Sequence, residues 1–218
     1  MKALIKEIFS SIQGEGIYIG EPQVFVRFTG CNLNCKYCDT DFSDFGAKNY
    51  TSIQFLEEIS KYIPQTVSLT GGEPLLNVPF LLEVLPQLKK TGKKIYLETN
   101  GTLFKELEKI IDYVDIVAMD IKIESATKQK ARYDANRIFL KLAVQKNKEA
   151  FIKVVYTPKI EYEEIVEIIS IAKENNVPVV LQPKMPLERG FERIFDKFYA
   201  LYKNVRLIPQ THKFLNLP

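Results

Sequence analysis

The residues that stand out for their chemistry are the three cysteines of this 218-residue chain, Cys31, Cys35 and Cys38, which lie within eight positions. Three thiolates in one loop can hold three irons of a four-iron cluster and leave the fourth iron open to a small bidentate ligand. A structural zinc site needs four ligands, yet there is no fourth cysteine and the only histidine, His212, lies far away in sequence. The spacing therefore favours an iron–sulfur cluster over zinc or free buried thiols.

The segments that must position these cysteines alternate between strand-like and helix-like patterns, with no linker or low-complexity stretch between them. The predicted strands are Gln23–Thr29, Thr66–Thr70, Lys94–Thr99, Asp115–Asp120, Phe151–Tyr156, Pro178–Gln182 and Val205–Ile208. The predicted helices are Ser52–Tyr62, Val78–Lys90, Leu103–Asp112, Ala135–Lys146, Glu161–Asn175 and Phe191–Tyr202. We therefore predict a single domain over residues 1–218.

Repeated strand–helix units imply parallel strands joined by right-handed crossovers, which makes this an α/β protein. About six units are too few for a closed eight-unit barrel, so an incomplete barrel and an open doubly wound sheet both remain. Polar residues at the C-terminal ends of many strands would meet at one barrel mouth, which favours an incomplete TIM-like βα barrel with about six parallel strands. These residues are Arg27, Thr29, Thr70, Glu98, Asn100, Asp120, Lys122, Tyr156, Thr157 and Gln182.

Three local signals refine this pattern. Thr51, followed by Gln54 three positions later, is typical of a capping box that begins a helix. Pro86 is expected to bend or interrupt the second helix. The lysine-rich stretch Thr127–Asp134 has no apolar period and is expected to be an exposed loop.

Composition indicates which kinds of partner and which cell compartment the protein has. Thirty Lys and Arg against 27 Asp and Glu leave a net charge of only +3, and the charges are interleaved, which disfavours nucleic acid as a partner. The charged N-terminus lacks the apolar run of a signal peptide, and no stretch is long enough to span a membrane. An odd number of cysteines is not a closed disulfide framework, so we expect a cytoplasmic protein.

The cysteines follow the pattern C-x3-C-x2-C with Tyr37 before the last one, and the turn Thr70-Gly71-Gly72-Glu73-Pro74 follows the second predicted strand. Together these motifs resemble the radical S-adenosylmethionine (radical SAM) enzymes and imply the partial barrel of that superfamily. The resemblance implies a 4Fe-4S cluster on the three cysteines, whose open iron binds S-adenosylmethionine and whose reduction yields a 5′-deoxyadenosyl radical. It assigns S-adenosylmethionine contacts to Tyr37, Cys38, Asp39, Gly71, Gly72, Glu73, Lys122, Ser125 and Gln182.

Two details of this resemblance lead to expectations. The glycines of the turn allow backbone to approach the methionine amino group, so a larger side chain at Gly72 is expected to exclude S-adenosylmethionine and leave the cluster intact. The chain departs from the family after Lys122, where a proline is usual and Ile123 stands instead. The resemblance then leaves Ser125 as the residue expected to contact the ribose of S-adenosylmethionine in that region.

A longer resemblance narrows the family. The segments Phe9–Gly16, Gly20–Pro22, Phe25–Arg27, Tyr96–Gly101 and Gln210–Pro218 are similar to those of 7-carboxy-7-deazaguanine synthases. This likeness implies a lyase that converts 6-carboxy-5,6,7,8-tetrahydropterin into 7-carboxy-7-deazaguanine with loss of ammonia, in the biosynthesis of queuosine-type 7-deazapurines. It also implies Mg²⁺ at Thr40, a homodimer, and an electron donor such as flavodoxin or ferredoxin.

The same likeness assigns catalytic roles to Arg27, Glu98 and His212, and substrate contacts to Ile12, Gln13, Gly14, Arg27, Thr70 and Pro218. For Arg27 the strand pattern gives an independent reason, because it alternates with Val26 and Phe28 and shares its face with Cys31. A guanidinium on the cluster side suits a substrate carboxylate, whereas the alternative is a surface arginine on an edge strand. Gly14 is expected to let backbone approach the substrate ring.

Some alternatives stay open at this point. Glu98 lies in a strand that should be buried on both faces, so its carboxylate needs a partner, which is either the pterin or a lysine, Lys122 or Lys153. The cysteines alone would also fit an iron–sulfur electron carrier or an activase that generates a glycyl radical on a partner protein. The set that neither alternative requires is Gln13, Arg27, Glu98 and His212.

Overall fold

The structure is a computed structural model, and it describes residues 1–36, 38 and 43–217. The strands of these residues are β1 (Lys2–Ile12), β2 (Pro22–Phe28), β3 (Lys48–Thr51), β4 (Thr66–Gly71), β5 (Lys94–Thr99), β6 (Ile116–Asp120), β7 (Glu149–Tyr156), β8 (Val179–Pro183) and β9 (Val205–Leu207). The helices are α1 (Ser52–Ser60), α2 (Val78–Lys90), α3 (Phe104–Ile110), α4 (Glu124–Thr127), α5 (Tyr133–Gln145), α6 (Tyr162–Asn175), α7 (Phe191–Leu201) and α8 (Thr211–Leu215). No described helix is long and apolar enough to cross a membrane.

One sheet contains all nine of these strands, in the order β3-β1-β2-β4-β5-β6-β7-β8-β9. Every pair from β2 through β9 in this order is parallel, whereas β1 is antiparallel to both β2 and β3. The described edges β3 and β9 do not pair with each other, so the sheet is open. The α/β class and the incomplete barrel are confirmed, with seven parallel strands instead of about six.

All seven predicted strands and all six predicted helices are present, and their bounds differ from the prediction by at most two residues. Strands β1 and β3 were missed. In β1 a register shift between Ile5 and Glu7 breaks the alternation of buried and exposed residues, so the segment lacks the period that indicates a strand. Strand β3 has only four residues, two of them exposed, and carries little pattern of its own.

The local predictions had mixed outcomes. Thr51 begins α1 with the expected capping box, since its hydroxyl accepts from Gln54 N at 3.3 Å and its own N donates to Gln54 Oε1 at 3.0 Å. Pro86 does not interrupt α2, which runs on to Lys90. The Leu82 carbonyl, which loses its donor to this proline, belongs to an exposed residue and can be hydrated.

Three residues predicted at the barrel mouth, Thr29, Tyr156 and Thr157, do not line it. Two of them have a clear role elsewhere. Tyr156 is fully buried in the core, and its hydroxyl donates to the Phe191 carbonyl at 2.9 Å. Thr29 instead donates to the Leu4 carbonyl of β1, through both its N and its hydroxyl at 3.3 Å. These side chains therefore hold neighbouring elements to the sheet and do not line the mouth.

Candidate active site

Side chains on one face of β5 to β8 form two layers because alternate residues of a strand face the same side. The first layer is apolar and is covered by partly buried residues of two loops, Ile17, Tyr18 and Ile208. It consists of Tyr96, Ile116, Ala118, Phe151 and Val180. Two residues further along, towards the C-terminal end of each strand, the face becomes polar with Glu98, Asp120, Lys153 and Gln182.

A cavity of about 640 Å³ lies against this polar layer. It brings together most of the residues predicted from the sequence to form the site. Those that line it are Ile12, Gln13, Gly14, Arg27, Cys31, Cys35, Cys38, Thr70, Gly71, Gly72, Glu98, Lys122, Gln182 and His212. Arg27 therefore lines the same cavity as the three cysteines.

Other predicted site residues do not line the cavity. Ser125 donates its backbone N to Glu164 Oε1 at 2.9 Å, and its hydroxyl is buried with no partner in the described part of the chain. Glu73 is fully buried beneath the cavity surface. Four more predicted residues, Tyr37, Asp39, Thr40 and Pro218, lie outside the described residues.

The loop that carries the cysteines is fixed by backbone hydrogen bonds to a neighbouring segment. Lys36 N donates to the Thr127 carbonyl at 3.1 Å, and Asn34 N donates to Gln129 Oε1 at 3.3 Å. The expectation of an exposed loop at Thr127–Asp134 is wrong in part, because Thr127 is 1% exposed and ends α4. This segment supports the cysteine loop.

The surroundings of the Cys31 and Cys35 thiols combine partial burial with a nearby positive charge. Cys31 and Cys35 are half-buried, and burial raises the pKa of both thiols. Lys122, a cationic neighbour on the cavity wall, opposes this rise. In the described residues no three His, Cys, Asp or Glu side chains are close enough together to hold a single metal ion. All three cysteines line the same cavity, as the ligands of a single 4Fe-4S cluster must.

The glycine-rich turn packs directly on the start of the cysteine loop. Gly72 N donates to the Phe28 carbonyl at 2.9 Å, and Glu73 N donates to the Gly30 carbonyl at 2.9 Å. A Cβ at Gly72 would lie 2.6 Å from the Gly30 carbonyl carbon and closer still to its oxygen. This differs from the sequence-based expectation, since a larger side chain here would displace the cysteine loop itself.

The Glu73 carboxylate ties the turn to the next strand. Its oxygens accept from Thr99 Oγ1 at 2.8 Å, Asn100 N at 2.9 Å and Leu75 N at 3.2 Å. Burial raises the pKa of Glu73 to about 7, although these hydrogen bonds oppose the rise. Glu73 thus joins the loops that follow β4 and β5.

The hydrogen bonds of Glu98 are to neutral side chains, although its charge also acts on Lys153. Its Oε1 accepts from Gln13 Nε2 at 2.9 Å, and its Oε2 accepts from Thr70 Oγ1 at 3.1 Å. Ion pairs described for Lys122 and Lys153 are with Asp120 and Glu15. Glu98, Gln13 and Thr70 therefore form one hydrogen-bonded group on the cavity wall, where a ligand with polar ring atoms could bind.

A line of alternating charges, which sequence reasoning missed, crosses the cavity wall. Lys122 pairs with Asp120 at 2.9 Å, Asp120 with Lys153 at 3.4 Å, and Lys153 with Glu15. Burial would raise the pKa of Glu15, but the charge and hydrogen bond of Lys153 lower it to about 2. Burial would lower the pKa of Lys153, but the charges of Glu15 and Asp120 raise it above its usual value. Strand alternation could have placed Lys153 on this face, but not its pairing.

Two buried polar atoms on the cavity wall have no hydrogen-bond partner among the described residues. They are Asp120 Oδ1 and Gln182 Oε1. Buried polar atoms are normally paired, so unpaired ones beside a cavity point to groups that a ligand would satisfy. Both residues belong to the polar layer.

The C-terminal segment closes the cavity over the loop after β1. Thr211 N donates to the Gly14 carbonyl at 2.9 Å, and Gln210 Nε2 donates to Glu15 Oε1 at 2.7 Å. A Cβ at Gly14 would lie 2.7 Å from the Cβ of His212. Gly14 is therefore required first for the approach of His212, whereas the sequence suggested an approach of the substrate ring.

Comparison with known proteins agrees with this geometry. Residues 25–188 match the Radical SAM superfamily. A 7-carboxy-7-deazaguanine synthase from Geobacter sulfurreducens is 36% identical over 98% of this chain and 97% of its own length, and one from Archaeoglobus fulgidus is 35% identical over the full length of both. A crystal structure of QueE from Escherichia coli has a TM-score of 0.70 at 23% identity, covering 97% of this chain and 95% of that one. The chain therefore belongs to the radical SAM superfamily and, within it, to the 7-carboxy-7-deazaguanine synthase family.

Proposed function

We propose that this protein converts 6-carboxy-5,6,7,8-tetrahydropterin into 7-carboxy-7-deazaguanine with loss of ammonia. The observation that carries the proposal is the single cavity that joins the three cysteines to Arg27 and to the Gln13–Glu98 pair. A guanidinium, a carboxylate and an amide at one cavity match a ligand that has both a carboxylate and a ring with N–H groups. The names of the relatives given above support the same reaction.

Each polar group of the cavity has a task in this proposal. Arg27 holds the substrate carboxylate, and because that carboxylate sits on the reacting carbon, it also sets where the carbon lies. Gln13, Glu98 and Thr70 bind the edge of the pterin ring. Backbone of Ile12 and Gly14, with the His212 side chain, contacts the ring beside the C-terminal segment, and Pro218 adds a contact there.

The cysteines and the glycine-rich turn form the cofactor end of the site. A bound 4Fe-4S cluster and S-adenosylmethionine supply the 5′-deoxyadenosyl radical that begins the reaction. We assign S-adenosylmethionine contacts to Gly71, Gly72, Lys122 and Gln182, which line the cavity. The remaining proposed contacts are Tyr37, Cys38, Asp39, Glu73 and Ser125. The unpaired oxygens of Asp120 and Gln182 offer acceptors for the amino and hydroxyl groups of this cofactor.

We also propose Mg²⁺ at Thr40. Magnesium keeps several waters and takes few protein ligands, so one hydroxyl with substrate oxygens can suffice.

Further proposals concern the state of the protein in the cell. These are a single domain over residues 1–218, a homodimer in the cytoplasm, a donor such as flavodoxin or ferredoxin, and no nucleic acid partner. One sheet that extends from Lys2 to Leu207 supports the single domain.

The test is product formation by anaerobically reconstituted protein. With S-adenosylmethionine, Mg²⁺ and a chemical reductant, we expect about four irons per chain. The tetrahydropterin should then yield 7-carboxy-7-deazaguanine, ammonia and a small amount of 5′-deoxyadenosine. A parallel reaction offers a glycyl-radical peptide in place of the pterin. A glycyl radical on the peptide without pterin turnover would replace this proposal with the activase.

The matched control separates the cluster from the substrate site. Cys35→Ala should lose iron and all cleavage of S-adenosylmethionine, because only two thiolates remain. Arg27→Ala should keep its iron but lose both pterin affinity and product formation. Full activity of Cys35→Ala would show that the cluster is not held by these cysteines.

A further inference from the structure

We propose that Glu7 is a positioning residue that fixes the guanidinium of Arg27 for the substrate carboxylate; this inference rests on the proposed function. Glu7 lines the same cavity, and its Oε1 accepts from Arg27 Nη1 at 2.6 Å. It belongs to β1, the strand that the sequence pattern did not indicate.

A bulge in β1 places Glu7 where it can reach Arg27. Ile5 pairs with Phe28, so an unbroken antiparallel register would set Lys6 opposite Arg27. The register shift between Ile5 and Glu7 inserts one extra residue, and Glu7 becomes the partner of Arg27. Bulges of this kind re-aim side chains beside active sites. Here the shift replaces a cation opposite Arg27 with an anion.

The Arg27 guanidinium contacts an aromatic ring with its flat face, in addition to the hydrogen bond that its edge donates to Glu7. Its Cζ lies 4.8 Å from the ring centroid of Phe9, two residues after Glu7 on the same face of β1. The Phe9 ring in turn stacks on Phe25, at 5.3 Å and 15°. An aromatic face and one carboxylate oxygen together restrict how the guanidinium can rotate.

The exposure of this pair shows that it contributes little to folding. The Arg27 and Glu7 side chains are 32% and 42% exposed, and ion pairs at such exposure add little to the stability of a fold. The pair is therefore better explained by orientation. Because Glu7 accepts a hydrogen bond from Nη1 alone, the other guanidinium nitrogens of Arg27 can still donate to the substrate carboxylate.

This arrangement predicts opposite effects on binding and on turnover when Glu7 is changed. The Glu7 charge competes with the substrate carboxylate for Arg27, so its loss should lower KM by up to about fivefold. Loss of the orientation should lower kcat, because small displacements of the reacting carbon slow the reaction strongly. A residue that only supported the fold would not give this split.

The experiment compares Glu7→Ala with Glu7→Gln in the reconstituted enzyme. Glu7→Ala removes both charge and hydrogen bond, and we expect kcat to fall by about tenfold, with at least threefold more 5′-deoxyadenosine released per product. Glu7→Gln keeps an oxygen that accepts from Nη1, and its kcat should stay within about twofold of the parent. Glu106→Ala, which breaks the surface pair with Lys109 at 2.8 Å, is the matched control and should change nothing.

A binding arm keeps the inference separate from the proposed function. The preference of each protein for 6-carboxypterin over pterin is measured by calorimetry, without turnover, and Glu7→Ala should prefer the carboxylate at least as strongly as the parent does. A parent that neither turns over the tetrahydropterin nor prefers 6-carboxypterin would contradict the proposed function. An active parent with unchanged kcat and product ratio in Glu7→Ala would overturn the role of Glu7, and so would a kcat in Glu7→Gln as low as that of Glu7→Ala.

Discussion

Replacing Gly72 by alanine tests the contact between the glycine-rich turn and the cysteine loop. A Cβ atom stays at least 3.0 Å from the backbone of residues that are not its chain neighbours. The Cβ of an alanine at position 72 would lie 2.6 Å from the Gly30 carbonyl carbon, so this carbon must move by at least 0.4 Å and its oxygen by more. That shift strains the hydrogen bond from Glu73 N to Gly30 O, now 2.9 Å. Overpacking costs about 1 to 3 kcal/mol, and a lost hydrogen bond adds about 1 kcal/mol.

These energies act directly on the cluster because Gly30 precedes Cys31. A loop conformation disfavoured by about 2 to 4 kcal/mol binds its ligand about 30- to 1000-fold more weakly. Gly72→Ala should therefore take up much less than four irons per chain under reconstitution and should lose S-adenosylmethionine cleavage with the iron. Iron content, visible absorption and 5′-deoxyadenosine release measure both effects on the same sample.

The matched control for this test is Gly92→Ala. Gly92 has a φ of +81°, and a Cβ added there would meet no other atom within 4 Å. Alanine at this position therefore strains the backbone by about 1 to 2 kcal/mol without a steric clash, and Gly92 does not line the cavity. It should lower stability and leave iron uptake unchanged. If Gly72→Ala instead keeps all its iron and loses only affinity for S-adenosylmethionine, the expectation from the sequence is right and the contact with Gly30 does not govern the cluster.

Three more changes probe the cavity wall. Glu15→Gln should lower the free energy of unfolding, measured in urea, by about 3 to 5 kcal/mol, because the buried charge of Lys153 loses a partner. The double variant with Lys153→Met should recover part of this loss. A loss under about 1 kcal/mol in Glu15→Gln would contradict the pairing. The raised pKa of Glu73 means that folding favours its protonated form, so parent stability falls as pH rises from about 4.5 to 7. Glu73→Gln should therefore gain about 2.5 kcal/mol relative to the parent between pH 5 and pH 8, and a difference independent of pH would refute this. Arg27→Lys should keep substrate affinity within about tenfold yet form product about 100-fold more slowly, whereas product at the parent rate would show that Arg27 does not position the substrate.

Much of the site could be predicted because its signals are local. The spacing of the cysteines is a property of a few consecutive residues, and the face of Arg27 follows from its alternation with Val26 and Phe28. Both predictions agree with the cavity lining. Parallel strands that are buried on both faces also carry strong apolar patterns, so the strand and helix positions were predicted closely.

What the sequence could not give depends on contacts between distant elements. The line from Lys122 through Asp120 and Lys153 to Glu15 requires knowing which strands are neighbours and in what register. The bulge in β1 hides that strand from any periodic pattern, because one extra residue reverses the faces of all the residues after it.

The contact between the C-terminal segment and the loop after β1 has a consequence for how the chain matures. Gln210 and Glu15 are 195 positions apart, so this part of the cavity wall is absent until nearly the whole described chain has been synthesised. Contacts of such long range form late in folding, whereas the cysteine loop emerges early from the ribosome. The contact of His212 with Gly14 therefore completes the cavity wall only after the cysteine loop has emerged.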